Sequence, residues 1–215
     1  MHIPACFRVR RPAALVALLV LLWAVPAVFA QQLKPIQLPK PQVTAGMPLM
    51  QALAQRQTSR AFLDKPLPLQ TLSNLLWAAF GVNRPREVKA GLGRTAPSAM
   101  NKQEVELEVV LAEGVYVYEA EKNVLRPLLA GDVRGKISPA AAAHAAVTVV
   151  YVAGVKDDFA QVDTGFIGQN VYLFAASEGL NAWFYAFHGP DQSAALKLPA
   201  ERKALYAQSV GYPPR

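Results

Sequence analysis

Two arginines, Arg56 and Arg60, lie four residues apart, with the small polar side chains of Gln57 and Thr58 between them. A guanidinium group offers paired N–H donors that match the oxygens of a phosphate monoester. The intervening side chains can add neutral hydrogen bonds, and Phe62 could anchor the segment in the core. The pattern predicts a phosphate-binding segment. It also fits a solvated basic turn at a helix end, where arginines interact favourably with the helix dipole.

A second segment combines a proline-serine turn with small side chains at Pro97, Ser98, Ala99 and Asn101. Small side chains permit a flat ring to approach the backbone, and the amide of Asn101 can bond a ring carbonyl. The same residues fit an ordinary helix start with Ser98 as its N-cap. Taken together, the two segments predict the two halves of a site for flavin mononucleotide (FMN).

The first 30 residues have the organisation of a targeting segment. Arginines precede an apolar run at residues 13–25, and Val28 and Ala30 match the positions that a signal peptidase reads. We therefore expect a signal peptide at residues 1–30, cleaved after Ala30, and a periplasmic or secreted protein. An uncleaved anchor is the alternative, although the run is short for a membrane span. The export route stays open.

Length and composition limit the kinds of site and partner that we expect of the chain after cleavage. It is long enough for one domain with a substantial core. The only cysteine, Cys6, lies in the targeting segment, so we expect no disulfide, no metal site built on thiolates and no cysteine nucleophile in the mature protein. We predict no metal site. Removing the three arginines of the targeting segment from the 22 basic residues leaves 19 against 15 acidic residues, a net charge of +4 that suits an anionic cofactor. The basic residues do not form the dense tract typical of nucleic-acid binding.

The hydrophobic pattern predicts an α+β fold with helices packed around a sheet. Residues 31–47 are proline-rich and predict an extended arm, either disordered or laid across a partner, before a domain at 48–215. Helices are predicted at residues 49–55, 68–80, 138–146, 159–179 and 191–196, the last capped by Asp191. Strands are predicted at residues 104–112, 115–119, 124–125, 147–153 and 204–210, and an aromatic strand or loop at 180–187. A mobile polar loop is predicted at 83–95.

Two of these elements carry unusual residues. The strand at 104–112 alternates apolar residues with Glu104, Glu106 and Glu108, so the glutamates are expected on the face away from the core. The long helix contains Gly165 and Gly168, each costing roughly 1 kcal/mol against alanine. This spacing predicts very close packing there, by a second copy of the helix or by a cofactor ring.

Five motifs occur in a fixed order. The basic segment, residues 56–62, comes first. It is followed by an amphipathic helix ending Leu-Trp-Ala-Ala-Phe-Gly and by the Pro-Ser-Ala turn. A helix containing Gly-Phe-Ile-Gly-Gln-Asn and a strand ending Ser-Val-Gly-Tyr-Pro come next. This order resembles the nitroreductase superfamily of flavoproteins, and within it the SagB/thiazole-oxazole-oxidase type. The resemblance covers about residues 48–213.

The resemblance implies a mixed sheet flanked by helices, in an intertwined homodimer that binds one FMN per subunit at the interface. The FMN phosphate and ribityl chain would be held by Arg56, Gln57, Thr58 and Arg60. The ring would be reached from the other subunit by Pro97, Ser98 and Ala99, with Asn101 beside them.

The resemblance also places a loop whose backbone N–H faces flavin N5 near His188 and Gly189. His188 could donate a proton to a substrate or simply pack, and Arg215 could complete the phosphate site. The aromatic run at residues 183–187 just before this loop could line a flat substrate pocket or pack in the core.

We therefore expect an exported FMN-dependent oxidoreductase that transfers hydride or electrons through flavin N5 to or from an unidentified small organic substrate. Because the flavin would supply the chemistry, no protein acid or base is obligatory. The alternative is an exported flavin-binding, or flavin-less, sensor or scaffold module without turnover. We expect a homodimer, with no nucleic-acid partner and no membrane span after signal cleavage.

Overall fold

A seven-stranded antiparallel sheet forms the centre of the fold in this computed structural model, which describes residue 2 and residues 33–87, 91–187 and 189–214. The strands are β1 (Ile36–Gln37), β2 (Val82–Glu87), β3 (Gly91–Arg94), β4 (Glu106–Leu111), β5 (Gly114–Glu119), β6 (Val124–Ala130), β7 (Val147–Gly154), β8 (Asn181–Ala186) and β9 (Arg202–Gly211). The helices are α1 (Leu49–Gln55), α2 (Leu69–Phe80), α3 (Arg134–Ile137), α4 (Ala160–Ser177) and α5 (Pro190–Leu196), with 3-10 turns at Ala99–Asn101 and Ala140–Ala142.

The strands of the large sheet follow the order β1-β6-β5-β4-β7-β9-β8, and β2 pairs with β3 in a separate hairpin. Strand β7 is central and, apart from its last residue, fully buried, as its run of β-branched residues predicts. Helices α2 and α4 cover one face, with Val149 and Tyr151 of β7 beneath them. Helices α3 and α5 cover the other face, above Val150 and Val152.

The predicted α+β class is confirmed, and the predicted helices at 49–55, 68–80 and 159–179 are present within two residues of their bounds. Every strand pairing among the described residues is antiparallel, so the sheet does not mix strand directions. None of the helices in the described ranges is long and apolar enough to cross a membrane.

The predicted helix at 138–146 is wrong. Pro139 disfavours the helical conformation of the residue before it, and Ser138 is accordingly extended, with φ −107° and ψ 153°. The chain therefore ends α3 at Ile137 and makes only a short 3-10 turn afterwards. The cap prediction for α5 is also wrong, because Gly189 occupies the N-cap and Asp191 lies in the first turn without making a side-chain cap bond.

The predicted mobile loop at 83–95 contains the β2–β3 hairpin, with residues 88–90 outside the described ranges. Arg94 fastens this hairpin to the core, since its guanidinium donates to the carbonyl oxygen of Phe80 at 3.0 Å and to Gln103 Oε1 at 2.8 Å. Burial lowers the pKa of Arg94. Sequence periodicity gave no sign of these long-range bonds.

The described part of the proline-rich arm lies along the sheet of its own chain. Strand β1 pairs with β6 through Ile36 and Leu125, and Leu38 is buried. Further along, the carbonyl oxygen of Pro39 accepts a hydrogen bond from Asn123 Nδ2 at 2.8 Å, and the N–H of Met47 donates to Ser177 Oγ at 2.8 Å. The arm therefore extends one edge of the sheet.

Glu108 does not face solvent as the alternation predicts. Its side chain is only 3% exposed, because β4 lies inside the sheet and the segment after α5 covers its face. Burial and the neighbouring Glu106 raise the pKa of Glu108, whereas Arg202 lowers it. The resulting pKa is about 7. Among the described residues, its Oε2 atom has no hydrogen-bond partner.

We predict that Glu108→Gln stabilises the protein at pH 8. A carboxyl whose pKa is higher in the folded state contributes stability at low pH, and that contribution is lost as the pH rises from about 4.5 through 7. At about 1.4 kcal/mol per pKa unit, the variant should gain roughly 2–3 kcal/mol over the parent between pH 5 and pH 8. Urea unfolding at both pH values measures this gain. Glu178→Gln, at an exposed position after α4, is the control. Equal pH dependence in all three proteins would contradict the assignment.

Candidate functional site

The basic segment leaves the end of α1 as irregular chain and runs along the edge strand β8. The N–H of Ser59 donates to the carbonyl oxygen of Ala182 at 3.0 Å, and Asn181 Nδ2 donates to the carbonyl oxygen of Ala61 at 2.7 Å. Further on, the N–H of Leu63 donates to the carbonyl oxygen of Tyr212 at 2.9 Å. The segment is therefore fixed to the sheet at both ends.

The two arginines of this segment lie against aromatic rings. The guanidinium of Arg56 is 5.4 Å from the ring centre of Tyr172, and that of Arg60 is 5.2 Å from the ring centre of Trp183. Within the described ranges neither guanidinium forms an ion pair with a carboxylate. The cations are thus oriented by cation–π contacts, while their N–H donors remain available to an anion.

The Tyr172 hydroxyl joins the basic segment to the rest of the fold. It accepts a hydrogen bond from the backbone N–H of Phe184 at 2.9 Å, and it lies 2.9 Å from Thr58 Oγ1. One side chain of α4 therefore contacts both β8 and the segment that carries the arginines. Sequence analysis missed Tyr172; a tyrosine in an otherwise apolar stretch of helix was the available signal.

The proline-serine turn is held at the other end of α4. The backbone N–H of Ala99 donates to both carboxylate oxygens of Asp163, at 3.0 and 3.2 Å. Burial raises the pKa of Asp163, as does the nearby Asp157, while the bond from Ala99 lowers it. Asp163, which is 3% exposed, thus positions the turn.

The chain just after this turn is strained. Met100, Asn101 and Gln103 have φ angles of 51°, 54° and 55°, in the left-handed region that residues other than glycine rarely adopt. Ser98 does not act as the predicted helix cap; its Oγ accepts a hydrogen bond from the N–H of Gln103 at 3.0 Å. Asn101 donates to the carbonyl oxygen of Leu92 at 3.3 Å and accepts from Gln103 Nε2 at 2.8 Å. Its amide is therefore oriented within the loop.

A single chain does not bring the two segments together. Their anchors on α4, Asp163 and Tyr172, are nine residues apart, or about 13–14 Å along a helix. Pro97 and Arg60 are both exposed at these separate positions. This separation is consistent with segments that serve different copies of a shared site.

The close packing predicted at Gly168 is present, but its partner is neither a second helix nor a cofactor ring. A Cβ atom at Gly168 would lie 2.8 Å from the ring of Phe184, which itself stacks on Tyr206 at 5.0 Å. Gly165, in contrast, is exposed and faces open space. The two glycines therefore have different roles.

Most of the aromatic run at 183–187 belongs to the core of the protein. Phe184 packs under Gly168, and Phe187 is buried. Tyr185 OH lies 3.0 Å from Ser138 Oγ and 2.9 Å from Ser209 Oγ. Trp183, half-buried, is the aromatic side chain that contacts the basic segment.

Gly189 begins α5 with a φ of 112°, a conformation that side chains with a Cβ rarely adopt. A substitution at Gly189 would strain the backbone whatever the role of the loop. The predictions for His188 and Arg215 fall outside the described residues.

Comparison with known proteins identifies the family. A family model described as the nitroreductase family matches residues 53–212. The chain therefore belongs to the nitroreductase family. A candidate nitroreductase from Methanocaldococcus jannaschii is 30% identical in an alignment 153 residues long. The alignment covers 61% of this chain and 75% of that protein.

Solved structures agree with this assignment. A candidate nitroreductase from Ralstonia eutropha JMP134 is 31% identical, with a TM-score of 0.74, over 85% of this chain and 91% of that chain. The microcin synthetase McbBCD complex from Escherichia coli, bound to truncated pro-MccB17, contains a chain that is 19% identical, with a TM-score of 0.62 over 83% of this chain. At that identity the likeness shows the fold alone.

We predict that Tyr172→Phe destabilises the protein by about 1–2 kcal/mol, because it removes two hydrogen bonds, each with a typical net value of about 1 kcal/mol. The amide of Phe184 should also exchange its hydrogen faster. Urea unfolding and hydrogen exchange measure these changes. Tyr206→Phe is the matched control, since its hydroxyl has no bonded partner in the part of the chain described. Equal stability of both variants would contradict the role of the Tyr172 hydroxyl.

Proposed function

We propose that this nitroreductase-family protein is an exported FMN-dependent oxidoreductase acting on a small organic substrate. The observation that carries the proposal is the pair of arginines on the basic segment. Both are oriented by aromatic rings, and neither has a carboxylate partner within the described ranges. Unpaired, preoriented guanidinium groups suit a phosphate monoester.

The residues on the two segments fit FMN in charge and size. The phosphate and ribityl chain would be bound by Arg56, Gln57, Thr58 and Arg60. The ring would be contacted by Pro97, Ser98, Ala99 and Asn101 of the other subunit, and by the backbone N–H at Gly189. FMN, when bound, supplies a ring nitrogen that can accept and return hydride. The chain itself binds, orients and shields the group.

The subtype and the substrate are further parts of the proposal. The motif order favours the SagB/thiazole-oxazole-oxidase type. The half-buried Trp183 beside Arg60 offers an apolar surface next to the cofactor segment. We propose His188 as a group that could donate a proton to the substrate, and Arg215 as a further phosphate contact.

We predict that Arg56→Gln weakens FMN binding at least about tenfold, because a charge-assisted hydrogen bond contributes roughly 1.5–3 kcal/mol. Fluorescence titration of the flavin-free protein with FMN and with riboflavin, which lacks the phosphate, measures the effect. The parent should prefer FMN, and the variant should lose most of that preference.

Arg126→Gln is the control for this measurement, since Arg126 is ion-paired with Glu119 at 2.9 Å on the far side of the sheet. An Arg56→Gln variant that keeps the full preference for FMN over riboflavin would refute the phosphate assignment.

Bleaching of the bound flavin by organic donors, followed by reoxidation, would distinguish an oxidoreductase from a sensor or scaffold.

We propose a homodimer that uses the exposed face of α4. Phe159, Val162 and Phe166 follow one another at helical spacing and are 45–56% exposed. Gly165 lies among them with open space above it, so another helix could approach closely. An apolar stripe of this kind is costly in water and typical of an interface. A second copy would also supply the proline-serine turn that one chain holds away from its own arginines.

We predict that Phe166→Glu converts the dimer to a monomer, because it places a charge in the centre of the apolar interface. Analytical ultracentrifugation at low micromolar concentration measures the change. Leu69→Glu, on an exposed residue at the start of α2 and outside this face, should remain dimeric. A parent protein that sediments as a monomer would refute the proposal.

Export is proposed from the targeting segment at residues 1–30. We predict that the protein isolated from its own host begins at Gln31 and is found in the periplasm or the medium. N-terminal sequencing of fractionated cells measures both. An intact Met1, or a pool confined to the cytoplasm, would refute export.

A further inference from the structure

A cavity of about 410 Å³ lies on the face of the sheet that α3 and α5 cover. Its walls combine apolar side chains, among them Leu129 of β6, Val152 of β7 and Leu198 in the segment after α5, with charged ones. The charged side chains are Glu106, Glu108, Lys197 and Arg202. The volume lies in the range of roughly 300–1,000 Å³ that is typical of small-molecule sites.

The buried carboxyl of Glu108 lines this cavity. The side chain is 3% exposed, and within the described ranges its Oε2 atom has no hydrogen-bond partner. Buried polar atoms are almost always bonded, and a buried carboxylate also requires a compensating charge. A molecule in the cavity with a suitable donor would meet both requirements.

The positive groups around Glu108 compensate its charge only in part, because burial and Glu106 outweigh the effect of Arg202 on its pKa. Arg202 of β9 lies 3.5 Å from Glu106 Oε1, so its charge is directed to the more exposed glutamate. Lys197, at the end of α5, is exposed to solvent. Arg126 of β6 is ion-paired with a glutamate of β5. These positions leave Glu108 as the acceptor at the cavity wall.

We propose that this cavity binds a small organic amine in its protonated form, with the ammonium group donating to Glu108 and the apolar part lying against Val152 and Leu198. A neutral donor would satisfy the oxygen but leave the carboxylate charge uncompensated. An anionic ligand would be repelled by Glu106 and Glu108. A cationic donor with an apolar body matches both the wall and the carboxyl.

The site is separate from the segments assigned to FMN, and the proposal does not rest on that assignment. Val152 pairs with Ala204 of β9, whereas Trp183, beside Arg60, pairs with Ser209. Ala204 and Ser209 are five positions apart on β9, which corresponds to about 17 Å. The lining of the cavity includes no residue assigned to FMN.

Isothermal titration of the purified protein with 2-phenylethylamine and with 2-phenylethanol tests the proposal. We expect the amine to bind and the neutral alcohol to bind at least about tenfold more weakly. Affinity for the amine should fall about tenfold from pH 8 to pH 6, because the ionised fraction of Glu108 falls with its pKa of about 7. Equal binding of both compounds, or no binding of the amine at millimolar concentration, would overturn the proposal.

Glu108→Gln keeps the shape of the side chain and removes its charge. We expect this variant to lose the preference for the amine and its pH dependence, whereas Glu178→Gln, at an exposed position after α4, retains both. A Glu108→Gln variant that binds the amine like the parent would refute the role of Glu108. If that variant does not fold, the comparison of the two compounds at two pH values in the parent decides the question alone.

Discussion

The close contact between α4 and the sheet at Gly168 is the constraint on which the other features depend. The missing side chain lets the ring of Phe184 lie directly under the helix. The carbonyl oxygen of Gly168 accepts a hydrogen bond from Gln208 Nε2 at 3.2 Å, and Gln208 in turn accepts from Tyr151 OH at 2.6 Å. This packing fixes the distance of α4 from the sheet and its rotation about its own axis. The two ends of the helix can therefore hold separate loops at defined positions.

Each end of α4 then positions one functional segment. Asp163 holds the backbone of the proline-serine turn, and the Tyr172 hydroxyl holds the segment with Arg56 and Arg60. The exposed apolar face of the same helix, formed by Phe159, Val162 and Phe166, lies at the end that carries Asp163. The two candidate binding segments are therefore held at separate positions, one near each end of the helix.

Local sequence patterns correctly predicted the helices and strands whose formation depends mainly on neighbouring residues. The helices at 49–55, 69–80 and 160–177 follow from periodicity, and β7 from its β-branched run. Where the prediction was wrong, a single residue or a distant contact was decisive. Pro139 prevented a helix in an alanine-rich stretch, and Arg94 ordered a polar segment through a bond to Phe80. Glu108 is buried because the chain after α5 covers it, which alternation within one strand cannot reveal.

The same distinction applies to the candidate site. Residue type alone predicted Arg56, Arg60 and the proline-serine turn as binding groups. The residues that hold them, Tyr172 and Asp163, contact them across 114 and 64 positions of the chain. Such partners follow from tertiary structure and have no local motif.

The basic segment has a second consequence through its bonds to β8. An edge strand with free N–H and C=O groups is a template for another strand, and proteins commonly cover such edges to avoid aggregation. Here Ser59 and Asn181 tie irregular chain to one edge of the sheet, while β1 pairs with β6 along part of the other. The loop that carries the arginines therefore also limits edge-to-edge association of the sheet.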